Sequence, residues 1–239
     1  MRNLIAALQF LTALPLPIKV DAADFAASMR WFPMAGLVVG GAVAGAAWMG
    51  MRVDLWLGAL LALIAWVMIT GALHLDGLGD IADAAGAEHG GNGHDRDRFD
   101  AVLADPHIGS FGVIAIGLQL VTKLILLRLT LETAPLWALA IIPALARTGP
   151  LVWTLLLPPL HKGLGTLFRS RLNWYQAIYW MIGIVIATWF APPLGIVFIL
   201  FVLWAYWVRY KIGGISGDSH GAGVELVESW LLLAMLCLS

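Results

Sequence analysis

The stretch "DLWLGALLALIAWVMITGALHLDGLGDIADA", Asp54 to Ala84, decides the class of this fold. From Asp54 to Leu73 it is almost wholly apolar, and a helix needs about 20 such residues to cross the hydrocarbon core of a bilayer. Three aspartates then arrive within eight residues: Asp76, Asp80 and Asp83. On a helix they fall at i, i+4 and i+7, so the later two lie about 40° and about 20° from the first, on one face. Like charges at that spacing repel, and more strongly as the dielectric falls toward a membrane. Either the helix has ended and the aspartates are solvated, with Asp76-Gly77 a turn, or a divalent cation satisfies them. The spacers Leu78, Gly79, Ile81 and Ala82 are apolar or small, which favours the cation. Hard carboxylate oxygens suit Mg²⁺, Mn²⁺ or Ca²⁺.

The rest of the chain agrees with a membrane setting. Hydrophobic residues make up 61% and charged residues 12% of the 239, against roughly 25% charged in soluble domains, and the mean hydropathy is +0.87. Apolar segments at 34–50, 54–73, 108–128, 135–157, 176–190, 192–208 and 224–238 predict an all-α polytopic bundle of about seven transmembrane helices, read as a single domain over 1–239. The N-terminal "MRNLIAALQFLTALPLPIKV" imitates a signal peptide, but Pro15 and Pro17 interrupt it and no small-x-small cleavage site follows. An interfacial or re-entrant helix ending at the prolines is expected there. A net charge of −1 leaves no nucleic-acid footprint, and the single Cys237 forms no intrachain disulfide.

Positive charge sets orientation. With the N-terminus cytoplasmic, ten of the 14 basic residues lie inside, only Arg52 and Arg128 lie outside, and Lys123 and Arg147 fall within spans. This orientation puts 74–107, 158–175 and 209–223 on the cytoplasmic side, together with all 6 histidines. Eight acids in 74–107 and three more at Asp218, Glu225 and Glu228 make eleven of the 15. Shared cations would neutralise both clusters, so the two segments are expected to form one site.

"GGISGDSHGAGVELVE", 213–228, is the second unusual stretch. If it is helical from Asp218, then Asp218, Glu225 and Glu228 share a face and its N-terminal amides suit a phosphate. Alternatively it is a flexible loop with glutamates at a helix start, where negative charge is favourable anyway. "ADPHIGSFG", 104–112, is a turn entering a span, in which Asp105 and His107 are either turn residues or site residues. Arg147 lies inside an apolar segment, and an intramembrane arginine points to a functional site, here an anionic substrate group. Lys123 is the lesser candidate. Two coincidences are set aside. "GISG", Gly214 to Gly217, lacks the histidine base that an intramembrane serine protease needs, and "HGGNGH", His89 to His94, lacks a metal-ligand spacing.

Four blocks, "RWFPMAGLVVG" (30–40), "TGALHLDGLGDIADA" (70–84), "DPHIGSFG" (105–112) and "GGISGDSHGAGVELVE" (213–228), resemble in order the signatures of the cobalamin synthase family, the adenosylcobinamide-GDP ribazoletransferases. The third block departs from the family pattern, with Pro106 and His107 in place of serine and arginine. Any anionic contact of that arginine then passes to His107 or Arg96. The resemblance implies a Mg²⁺-dependent enzyme of the bacterial inner membrane that joins adenosylcobinamide-GDP to α-ribazole or its 5′-phosphate and releases GMP. It implies catalytic roles for His74, Asp76, Asp80 and Asp83, and substrate contacts from Arg147, Asp105, His107, Gly217 and His220. Metal ligands are expected among Asp76, Asp80, Asp83, Asp218, Glu225 and Glu228. An oligomer is compatible with this reading. The competing reading, a cation-coupled transporter, expects carboxylates near the midplane of broken spans and internal repeats.

Overall fold

The computed structural model describes residues 1–88, 96–103, 105, 107–161 and 164–238, so the HGGNGH stretch and Pro106 lie outside the described residues. The described chain is helical throughout. It begins with α1 (Arg2–Leu11) and the short α2 (Ala22–Ala26), followed by α3 (Phe32–Met51), α4 (Leu55–Thr70), α5 (Leu73–Glu88) and α6 (Arg96–Leu103). It continues with α7 (Ser110–Thr133), α8 (Leu136–Ala146), α9 (Gly149–Leu156), α10 (Leu164–Arg169), α11 (Trp174–Phe190), α12 (Val197–Lys211) and α13 (Gly217–Cys237). Helix α1 ends at Leu11, before the prolines.

Among the described residues, five helical stretches are long and apolar enough to cross a membrane: Ser28–Met51, Ser110–Thr133, Leu136–Leu156, Pro192–Lys211 and Gly217–Cys237. The expected segment at 54–73 behaves differently. Asp54 caps α4 by accepting from Leu57 N–H at 2.9 Å, and α4 ends at Thr70. Gly71 (φ 58°) and Ala72 (φ 59°) then both take the left-handed conformation. Glycine adopts that state at little cost, whereas alanine strains by about 1–2 kcal/mol. Helices α4 and α5 meet there at 84°, and counted as one bent span they make a sixth. Helix α11 is apolar but only 17 residues long. The expected count of about seven is therefore five or six by length, with α11 as a shorter helix.

Packing follows the small residues. Helix α3 lies against both α4 and α8, and a β-carbon on Gly36 or Gly40 would strike the backbone of Pro143, Ala144 or Ala140. Close backbone approach of this kind replaces the hydrophobic effect as the source of helix association in lipid. The main core joins α3, α4, α7, α8, α9 and α13 around Trp66, Leu139, Trp153 and Leu231. A second, smaller core gathers Leu11, Phe32, Leu151, Phe168 and Ala177. Between the two, the 213–216 segment is pinned to the 158–160 turn by Ile215 N–H to Pro158 O (2.8 Å) and Leu160 N–H to Ile215 O (2.9 Å). Ser216 then starts α13 as its N-cap, its side chain accepting from Ser219 N–H. The serine of the GISG coincidence is thus a helix cap.

Candidate active site

Helices α5 and α13 bring the two acidic segments together. The backbone of Asp218 lies so near Gly77 that a β-carbon there would come within 2.8 Å of Asp218 O, and Gly221 faces the backbone of His74. Only glycine permits this approach. The two helices border a cavity of about 260 Å³ lined by His74, Asp76, Arg147, Gly217, Asp218 and His220. These are six of the residues singled out from the sequence. Asp80 is within electrostatic reach of Asp76, Asp218 and Asp83, so four carboxylates form one repelling group although about 140 residues separate its halves.

Arg147 sits at the junction of α8 and α9 and is fully buried. Its Nη1 donates to Pro143 O at 3.0 Å and to Glu228 Oε1 at 2.7 Å. Its Nη2 is 3.3 Å from His74 Nδ1. A guanidinium only donates, so Nδ1 accepts and the ring carries its proton on Nε2. His74 thus faces the cavity as a donor. Arg147 Nε is buried without a partner. His220 Nε2 lies 3.0 Å from Thr154 Oγ1. The carbonyls of Thr154 and Leu157 at the end of α9 each accept from Arg169 Nη1 at 2.6 Å, which completes that helix end.

Beneath the cavity lies a network that the sequence reading underweighted. Lys123 Nζ donates to Glu225 Oε2 at 2.8 Å and to Glu228 Oε2 at 2.7 Å, and it lies 4.2 Å from the centroid of the Trp66 ring. Gln119 Nε2 donates to Glu225 Oε2 and to Ser229 Oγ, both at 2.9 Å. Lys123, Arg147, Glu225 and Glu228 are all buried, two charges of each sign. The signal was available as Lys123 and Arg147 within spans, but their partners lie 102 and 81 residues away.

Several of the expected site residues lie away from the other members of the set. Glu228 spends both oxygens on Arg147 and Lys123, and Glu225 is held by Lys123 and Gln119. They pair with buried cations, and neither is among the residues that line the cavity with Asp76 and Asp218. Asp83 accepts from Gly109 N–H (2.7 Å, Oδ2) and Gly112 N–H (2.9 Å, Oδ1). It caps the start of α7, which packs directly against α5. Asp105 and His107 are exposed and pair with each other at 2.6 Å, outside the cavity. The hydrogen bonds from His107 hold the Asp105 carboxyl below its usual range. They lie in the turn before α7 and do not line the cavity. Among the described residues no three His, Cys, Asp or Glu side chains form a ready-made metal cage. Asp76 and Asp218 do remain in the cavity with hard oxygen donors, and one or two carboxylates plus substrate phosphates and water are the usual protein share of a Mg²⁺ shell. A larger groove of about 720 Å³ between α5, α12 and α13 is lined by apolar side chains such as Leu78, Leu203, Trp207 and Trp230 and holds none of the expected polar residues.

The comparisons with known proteins agree across nearly the whole chain. It is 55% identical to an adenosylcobinamide-GDP ribazoletransferase of Novosphingobium aromaticivorans, covering 98% of this chain and 96% of that one. It is 50% identical to the Thiobacillus denitrificans protein of the same name, covering 98% and 94%, and 46% identical to that of Laribacter hongkongensis, covering 98% and 96%. No solved structure matches it. The family model for cobalamin-5-phosphate synthase matches residues 3–236, and the chain, a multi-pass helical membrane protein, belongs to that family.

Proposed function

We propose that this chain transfers the phosphocobinamide moiety of adenosylcobinamide-GDP to α-ribazole or its 5′-phosphate, the last assembly step of the cobalamin nucleotide loop. The observation that carries the reading is the full-length similarity to ribazoletransferases, 55% identical at 98% coverage of this chain. The cavity chemistry is consistent with it. In the reaction a ribazole hydroxyl oxygen forms a bond to the cobinamide-bearing phosphorus. The bridging phosphorus–oxygen bond of the diphosphate breaks, and GMP leaves with the bridging oxygen.

Arg147, held by Glu228, orients a diphosphate oxygen at the cavity floor, where a planar fork of donors matches phosphate geometry. His74 donates a hydrogen bond through Nε2. Since Nδ1 accepts from Arg147, the proton of the attacking hydroxyl goes to a carboxylate, Asp76 or Asp218. The N-terminus of α13 at Gly217 borders the cavity, and the positive end of a helix favours an anion. Asp76 and Asp218, with Asp80 beside them, would hold Mg²⁺, which supplies charge neutralisation on the phosphate oxygens. The site then opens to the cytoplasm of a bacterial inner membrane, in line with the distribution of lysine and arginine.

Purified protein given adenosylcobinamide-GDP and α-ribazole should release GMP and form adenosylcobalamin in equal amounts. Release should stop on chelation and return with Mg²⁺. Absence of GMP release from folded protein supplied with both substrates and Mg²⁺ would reject the transferase reading. Persistence of full activity in chelator would reject the metal alone.

A further inference from the structure

The 260 Å³ cavity has an aromatic wall as well as a polar lining. Phe10 of α1, Phe32 of α3 and Phe168 of α10 all line it. Their ring centroids are 5.8 Å apart in each pairing. Phe25 of α2 backs them, 5.4 Å from Phe10 and 5.2 Å from Phe168. Three consecutive N-terminal helices and the distant α10 thus contribute one ring each to one place. Leu11 and Met29 extend the wall. A cavity with an apolar wall of aromatic rings, tilted 26° to 76° to one another, and a polar set of His74, Asp76, Arg147 and Asp218 is bipartite, as a nucleoside is: planar base at one end, sugar hydroxyls and phosphate at the other.

We propose that this wall is the seat of the benzimidazole base of α-ribazole, with its ribose turned toward the polar lining. The inference rests on the transferase reading above. Volume excludes the corrin macrocycle, because the cavity is slightly below the roughly 300 Å³ at which small-molecule pockets begin. Polarity decides between the two bases of the reaction. Guanine carries donors and acceptors around its edge, and against phenylalanine, leucine and methionine these would be buried without partners. The dimethylbenzo edge of a dimethylbenzimidazole is hydrocarbon, and its single edge acceptor, the imidazole N3, leaves far less polar surface to bury there. An aromatic wall binds any planar face by stacking, so selection comes from the polar groups it fails to satisfy. The guanine of the second substrate then lies outside this wall.

The test is direct binding to the full-length protein in lipid nanodiscs. Phe10→Leu alters a half-buried ring, and Phe168→Leu a buried one. Each should raise the Kd for α-ribazole about tenfold while the Kd for GMP is unchanged, and Phe10→Trp should keep wild-type affinity. With the wild-type protein, free dimethylbenzimidazole should compete with α-ribazole and free guanine should not. The competition experiment stands even where a variant fails to fold. An unchanged α-ribazole Kd in folded Phe10→Leu, or competition by guanine in place of dimethylbenzimidazole, overturns the assignment. If wild type releases GMP while the assignment fails, the transferase reading stands and only the location of the base is wrong.

Discussion

Glu228 shows what a single residue does here. Its side chain is fully buried, with one oxygen on Arg147 and the other on Lys123. Removing one partner of a buried pair costs about 3–5 kcal/mol, because the remaining charge stays in a low-dielectric interior. Glu228→Ala should therefore lower thermal stability in detergent sharply, and a melting curve within a degree or two of wild type would contradict the network. The aspartates separate by role. Asp76→Asn should cut turnover by about two orders of magnitude, in line with disturbing a metal-assisted phosphoryl site, with little change in melting. Asp83→Asn should do the reverse. It weakens two charge-assisted bonds to α7, each worth about 1.5–3 kcal/mol, so stability falls and the remaining folded protein keeps most of its kcat. Parallel melting and GMP-release measurements on both variants check the split, and an Asp83→Asn protein that is stable but inactive would return Asp83 to the catalytic group.

At the scale of elements, the site exists because α5 lies on α13 without a side chain between them. Gly77 makes the contact. Gly77→Ala would set a methyl group against the Asp218 backbone, and overpacking of this kind costs about 1–3 kcal/mol. More important, it would move Asp218 from Asp76 and open the cavity. We expect membrane-inserted protein with activity reduced at least about tenfold, since small displacements of reacting groups cost rate steeply. Gly117, which has open space around its β position, is the control, and Gly117→Ala should be silent. Equal activity in the two variants would show that the α5–α13 distance does not matter.

The whole molecule adds topology. The distribution of lysine and arginine predicts Arg52 outside and Ser170 inside, and both are exposed. In a Cys237→Ser background, Arg52→Cys should react with an impermeant thiol reagent in intact cells. Ser170→Cys should react only in inverted vesicles. The reverse pattern would place the cavity on the wrong side for cytoplasmic nucleotides. The bend at Gly71-Ala72 bears on the same question, because it carries α5 away from the line of α4 and lays the aspartate face against the start of α13.

The sequence by itself determined the helical class, the membrane setting, the family resemblance and the pairing of the two acidic segments. Those depend on composition, on period and on short motifs, which are local properties of the chain. It also singled out His74, Asp76, Arg147, Gly217, Asp218 and His220, which line one cavity. Tertiary structure alone decided which groups each carboxylate meets. Asp76, Asp83, Glu225 and Glu228 look alike in sequence, as acids in glycine-rich stretches. Their roles diverge because Asp83 meets the amides of α7, Glu225 meets Lys123, and Glu228 meets Lys123 and Arg147, all across long sequence separations. The aromatic wall was equally hidden, since nothing local ties Phe10, Phe25 and Phe32 to Phe168 until α10 meets the first three helices. An electrostatic or stacking role is a property of the pair, and the partner is chosen by the fold.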